Sequence, residues 1–182
     1  MSGADALSLF LTPGAGSNRE HPCLLEIEKQ VAPLAVQRFD FRYRQEGRRF
    51  PDRAPKLIAE AWGVDPQRLV LGGRSMGGRI CSMAVAEGLP AAGLVLICYP
   101  LHPVKKPETL RVDHFGDLKV PCLFISGDRD EFGTPEEFDQ HLHKIPGPVT
   151  RVILEGKRHD LKGANETIAA TVADWLVSLP NS

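Results

Sequence analysis

The 182-residue chain lacks any apolar run of the ~20 residues that a bilayer-spanning helix needs. Its amino terminus has a short apolar stretch without the basic start and small-residue cleavage site of a secretion signal. These absences argue against a membrane protein and lead to the expectation of a cytoplasmic one. Charge of one sign is also missing: 22 basic residues almost cancel 23 acidic ones, and neither sign gathers into a long block. A nucleic-acid-binding arm or acidic tail is therefore not expected. Cysteine is sparse, and Cys23, Cys81, Cys98 and Cys122 lie far apart with no paired metal-type spacing. Three of them fall in apolar segments, so all four are read as reduced core residues rather than disulfides or ligands. No internal repeat or low-complexity linker divides the chain, and its length suits one domain over residues 1–182.

What the chain does contain is a regular alternation. Short apolar or β-branched runs at 7–11, 36–41, 69–71, 94–98, 122–126 and 149–154 are separated by stretches long enough for crossover helices. The pattern predicts an α/β fold with about six mainly parallel strands and helices on both faces. Thr134, Pro135 and Glu137 form a capping box ahead of Phe138, Leu142 and Ile145. Asp52 is read as the start of a helix that Gly63 ends, and Ile168, Val172, Trp175 and Leu179 recur at helical spacing near the carboxyl terminus. Two irregular stretches, 42–52 and 99–114, directly follow strands, where an open α/β sheet carries its ligand crevice. Six arginines between 38 and 53 are offset by Asp40, Glu46 and Asp52. They read first as a solvated loop and second as an anion-recognition element.

The chemistry centres on Gly73-Arg74-Ser75-Met76-Gly77. Such a Gly-x-Ser-x-Gly string arises by chance in a chain of this length about one time in twenty, so its context decides. A buried strand precedes it and a helical stretch at 78–87, closed by Gly88, follows it. Strand, sharp turn and helix together hold a serine at a strained backbone angle with its hydroxyl exposed, while flanking glycines avoid clashes. The N–H of Met76 then points from the helix start toward the same spot. A second such amide is assigned to Ala15, in Pro13-Gly14-Ala15-Gly16 after the first strand. A phosphate loop is excluded because no Gly-Lys-Ser/Thr follows, and a dinucleotide loop because its third glycine and downstream acid are missing.

Serine attacks at neutral pH only if a histidine takes its proton and a carboxylate orients that histidine. In strand-turn-helix serine sites of this kind the partners follow in the order acid, then histidine. Of the six histidines, His159 alone follows the last strand, so it is the candidate base. The acid lies in Gly127-Asp128-Arg129-Asp130, with Asp130 preferred and Asp128 as the alternative.

With these strings in place the chain resembles the dienelactone-hydrolase-like part of the α/β-hydrolase superfamily. Tyr99-Pro100-Leu101-His102-Pro103, the following Lys106–Arg111 string and Pro51-Asp52-Arg53-Ala54-Pro55 further resemble a branch of small predicted hydrolases. That branch is related to the hydrolase-like domain of testis-expressed and chromatin-complex (NSL complex) proteins. The resemblance covers nearly the whole chain and implies a minimal version of the fold, with the strand at 36–41 at a sheet edge and little or no cap. The chain departs from the pattern at Thr12-Pro13, which replaces the usual His-Gly start of the first loop.

The implied activity is hydrolysis of a small-molecule ester or thioester by Ser75, Asp130 and His159, with Met76 and Ala15 as oxyanion donors and neither cofactor nor metal. Gly14, Arg74, Tyr99 and His102 are candidate pocket residues, with a rigid structural loop as the alternative for Tyr99 and His102. A binding or scaffold protein on the same fold and an acyltransferase with the same triad are the competing readings.

Overall fold

In the computed structural model, which describes residues 7–41, 46 and 68–180, six strands form one sheet. They are β1 (Ser8–Thr12), β2 (Ala35–Arg38), β3 (Leu69–Arg74), β4 (Gly93–Ile97), β5 (Cys122–Gly127) and β6 (Val149–Leu154). Four α-helices are described: α1 (Pro22–Gln30), α2 (Met76–Ala86), α3 (Pro135–Leu142) and α4 (Asn165–Ser178). A short 3-10 turn spans Phe115–Asp117. The helix expected from Asp52 and most of the 42–52 stretch lie outside the described residues. Every strand pairing is parallel, in the order β2-β1-β3-β4-β5-β6.

Alternation along the strands explains the layering. Successive side chains point to opposite faces of a strand, and here both faces are apolar because each is covered by helices. Phe10, Leu71, Leu94, Leu96, Cys122 and Phe124 face one side, where Ile80, Cys81 and Ala84 of α2 and Phe138 of α3 meet them. Leu9, Leu11, Val70, Val95, Ile97 and Leu123 face the other, against Leu24 and Ile27 of α1 and Ile168, Val172 and Trp175 of α4. All four cysteines are buried and free. Burial pushes the thiols of Cys23 and Cys81 up to about 11 and those of Cys98 and Cys122 to about 12, as expected of inert core residues. No described helix is long and apolar enough to cross a membrane.

The expected strands are all present, with ends displaced by a few residues. β2 forms four ladder residues rather than the six expected from 36–41; beyond it the Phe39 ring lies against Phe10 and the Phe41 ring meets Phe39 edge-on. The edge strand is otherwise half-exposed, as its polar alternation predicts. Arg38 at its end is ion-paired to Glu28 at 2.6 Å and to Glu20 at 3.1 Å, which favours the solvated reading for this arginine. The others of that stretch lie outside the described residues. The capping box of α3 forms as expected, Thr134 N–H donating to Glu137 at 2.7 Å.

The chain runs from β1 through α1 to β2 on one side, then returns to place β3 on the other side of β1. The reversal opens a crevice at the carboxyl ends of β1 and β3, where the loop after β1 and the turn after β3 meet. Their contact leaves no space for side chains. A Cβ on Gly77 would lie 2.5 Å from the Pro13 carbonyl oxygen and from Thr12 Oγ1, and one on Gly73 would collide with Thr12 Oγ1 as well. Thr12 itself, fully buried, donates from its hydroxyl to the Gly72 carbonyl at 3.0 Å. The threonine that replaces the usual histidine thus stitches β1 to β3 beneath the turn.

Two outcomes are expected. Gly77→Ala should lower the free energy of unfolding by about 1–3 kcal/mol through overpacking, measured by urea denaturation; an unaltered midpoint would mean that the turn relaxes freely. The second concerns His114, whose Nε2 meets Ser82 Oγ at 2.8 Å. Burial and then the charge of Arg79 hold its pKa down to about 4. An unfolded imidazole titrates near 6.5, so as pH falls the unfolded chain takes the proton first. The contribution of neutral His114 is complete above about pH 6.5 and is lost progressively down to about pH 4. Melting temperatures across that window should fall less steeply for His114→Gln, which keeps a donor within reach of Ser82.

Candidate active site

Ser75 occupies the single residue between β3 and α2. Its φ of 49° and ψ of −117° lie outside the regions an ordinary side chain prefers. The strain is held from both sides: Ser75 N–H donates to the Ile97 carbonyl at 2.8 Å, and its own carbonyl accepts from Arg79 N–H at 3.1 Å. The hydroxyl therefore stands at the mouth of the crevice on a rigid support. Met76 is the first residue of α2, so its N–H has no partner within the helix. Gly14 and Ala15 line the same cavity, and a Cβ on Gly14 would touch the Ser75 Cβ at 3.4 Å.

His159 arrives on the loop after β6. Its Nε2 lies 2.9 Å from Ser75 Oγ, and its Nδ1 lies 2.9 Å from both carboxyl oxygens of Asp130. An ionised carboxylate only accepts hydrogen bonds, so Nδ1 carries the hydrogen and Nε2 presents a lone pair to the hydroxyl. Asp130 is 2% exposed and is fixed by the Phe132 N–H at 2.9 Å. The loops after β5 and β6 are tied by Arg129 N–H donating to the Lys157 carbonyl at 2.9 Å. They also meet so closely at Gly127 that any Cβ there would strike the Lys157 carbonyl. The Phe132 ring packs on the imidazole with centroids 4.1 Å apart. Asp128, the alternative acid, has a buried Oδ1 with no partner and is not joined to His159.

Arg74 makes the third connection between loops. Its guanidinium donates to the His159 carbonyl at 2.8 Å, reaches Cys98 Sγ at 3.6 Å and meets His21 Nε2 at 2.7 Å. Both ring nitrogens of His21 face donors, Nδ1 the Cys23 N–H at 3.2 Å and Nε2 the Arg74 guanidinium, which disfavours a charged ring; burial, then Arg74, lowers its pKa. Cys98, Asp130 and His159 each offer one ligand-type atom within 4.8 Å of the others. Burial pushes the Cys98 thiol up to about 12, and His159 and Asp130 already engage each other.

The cavity beside Ser75 has a volume of about 720 Å³, within the usual range for small-molecule sites. Gly14 and Arg74 line it, as expected of candidate pocket residues. Tyr99 and His102 do not, and the alternative of a rigid loop describes both. Tyr99 is 1% exposed, packs against Phe115 and Phe124, and donates from its hydroxyl to the Arg111 carbonyl at 2.6 Å. His102 is buried and bridges the Pro103 carbonyl at 2.8 Å to Glu137, 3.2 Å away, pinning the 99–114 segment to the start of α3. Apolar and hydrogen-bonded surroundings retain both rings in the packed interior. Sequence reasoning missed His21, Arg79 and Arg111, which line the cavity. Their one legible signal was position: His21 follows β1 on the crevice edge, Arg79 is one helical turn past Ser75, and Arg111 lies in the segment after β4.

Comparison with solved structures finds the same fold at low identity. Est1E from Butyrivibrio proteoclasticus, in a structure with ferulic acid bound, is similar with a TM-score of 0.77 and 14% identity, covering 97% of this chain and 91% of that one. A dienelactone hydrolase from Anabaena variabilis is similar with a TM-score of 0.73 and 20% identity, covering 97% and 88% respectively. An alpha-beta serine hydrolase homologue from Coxiella burnetii is similar at 0.71 and 18% identity, covering 96% and 88%. The family model described as an alpha/beta hydrolase domain matches residues 5–176, and the chain therefore belongs to the α/β-hydrolase family.

Proposed function

We propose that the protein is a serine hydrolase that cleaves a small ester or thioester through an acyl-enzyme. The observation that carries this reading is the unbroken relay at 2.9 Å from Asp130 through His159 to Ser75 Oγ. Ser75 Oγ attacks the carbonyl carbon while His159 Nε2 takes its proton, and Asp130 stabilises the resulting imidazolium. The carbonyl oxygen, now anionic, is held by the N–H groups of Met76 and Ala15. His159 returns the proton to the leaving oxygen or sulfur, and a water deprotonated by the same nitrogen then releases the acid. These steps use the side chains, two backbone amides and water. An open cavity and a cap segment of about fifteen residues suit a compact substrate better than a long lipid chain. Kinship with the hydrolase-like domain of testis-expressed and chromatin-complex proteins belongs to the same proposal and names no substrate.

Ser75→Ala is expected to lower turnover of 4-nitrophenyl butyrate by about 10⁴-fold or more and to abolish labelling by a fluorophosphonate probe. Equal turnover by the purified variant would remove Ser75 from the reaction. If an added alcohol or thiol outcompetes water in the wild type, the same residues perform acyl transfer. Asp130→Asn should cost about 10³–10⁴-fold in kcat by favouring the wrong imidazole tautomer, whereas Asp128→Asn should have a small effect; the reverse order would assign the acid to 128.

A further inference from the structure

The cavity beside Ser75 is more basic than its own carboxylates can balance. Arg74, Arg79, Arg111 and Arg158 line it, against Glu131 and Asp160. Arg158, on the exposed rim, is paired with Glu131 at 3.7 Å. Asp160 accepts from the Lys162 N–H at 3.2 Å. Arg74 is committed to three neutral acceptors on His21, Cys98 and His159. Arg79 and Arg111 remain, half-buried, with no ion pair to either among the described residues, and Arg79 Nε is buried without a partner.

Two partly desolvated like charges without a carboxylate between them are unfavourable in the empty state. The Arg111 guanidinium has its pKa lowered by burial and then by Arg79, the sign expected for neighbouring cations. The two are also held in position, unlike flexible surface arginines. Arg79 stands on α2, with its N–H bonded to the Ser75 carbonyl at 3.1 Å, so its place relative to the nucleophile is set by helix geometry. Arg111 is held at its backbone, its N–H donating to the Leu101 carbonyl at 2.8 Å and its carbonyl accepting the buried Tyr99 hydroxyl at 2.6 Å. Guanidinium groups carried on such fixed backbone are suited to forked hydrogen bonds with carboxylate or phosphate oxygens.

We propose that Arg79 and Arg111 form an anion subsite beside Ser75, so that the substrate is an ester or thioester carrying a second, unesterified carboxylate or phosphate. The inference deepens, and rests on, the hydrolase reading. The ester is cleaved as described above, and the anionic group binds unchanged.

The test compares matched substrates. Mono-4-nitrophenyl adipate against 4-nitrophenyl hexanoate places the anion on the acyl part; 4-phosphonooxyphenyl butyrate against 4-methoxyphenyl butyrate places it on the leaving group. In the wild type, kcat/KM for the anionic member of one pair should exceed that of its neutral counterpart by about tenfold or more, and the pair that shows the preference locates the anion. The ratio should collapse toward one in Arg79→Gln with Arg111→Gln. Reading it within each variant cancels any general loss of folding or reactivity. No preference in either pair, or a preference that survives the double substitution, would overturn the subsite. Calorimetric titration of Ser75→Ala with the N-methyl monoamide of adipate against N-methylhexanamide measures the subsite without attack on a carbonyl. An anion preference there, with a wild type that turns over no ester and takes no fluorophosphonate, would sink the hydrolase reading and keep the subsite; equal binding with an active wild type would do the opposite.

Discussion

The turn at Ser75 can exist only because β1 and α2 press against it where no side chain fits. Gly73 and Gly77 are the two positions at which a Cβ would run into Thr12 and Pro13, and that contact pins a serine at φ 49°. The strain is sustained because the surrounding backbone hydrogen bonds over-determine it. One carbonyl from β4 and one amide from α2 hold the residue, and the Thr12 hydroxyl locks the strand beneath. Relaxing any of these would turn the hydroxyl away from His159.

From this point the site is assembled by loops, each leaving the same edge of the sheet. The loops after β5 and β6 bring an acid and an imidazole from residues 29 positions apart, and their close approach at Gly127 sets the spacing. Arg74 then ties the serine turn to the histidine loop through the His159 carbonyl and braces His21 on the other side. Buried links of this kind hold the hydrogen-bond distances. The same economy shapes the segment after β4. Tyr99 and His102 turn inward as struts, and what reaches the cavity from that segment includes Arg111.

Much of the architecture was legible because its signals are local. Apolar runs bounded by helical stretches yield all six strands, and the Thr134 capping box marks the start of α3. The edge position of β2 could be read from its polar alternation together with the resemblance to a known fold. Where the reading fell short, a contact distant in sequence decided. β2 ends early, and beyond it Phe39 is drawn to Phe10 and Phe41 to Phe39. Tyr99 and His102 look like pocket residues by their place after a strand, yet partners at 111 and 137 retain them in the interior.

The sequence by itself determined the fold class and singled out Ser75 as the candidate nucleophile, since a strand, a glycine-flanked serine and a helix are contiguous and their chemistry is local. It also pointed to His159 as the base and preferred Asp130 over Asp128 as the acid. Tertiary structure supplied the contact behind that preference, by burying the Asp130 carboxylate against Nδ1 while Asp128 lies apart from the ring. It alone also brought Arg79 and Arg111 into one cavity, because the loops that carry them meet only once the parallel sheet has formed and non-local pairing has fixed which strand ends are neighbours.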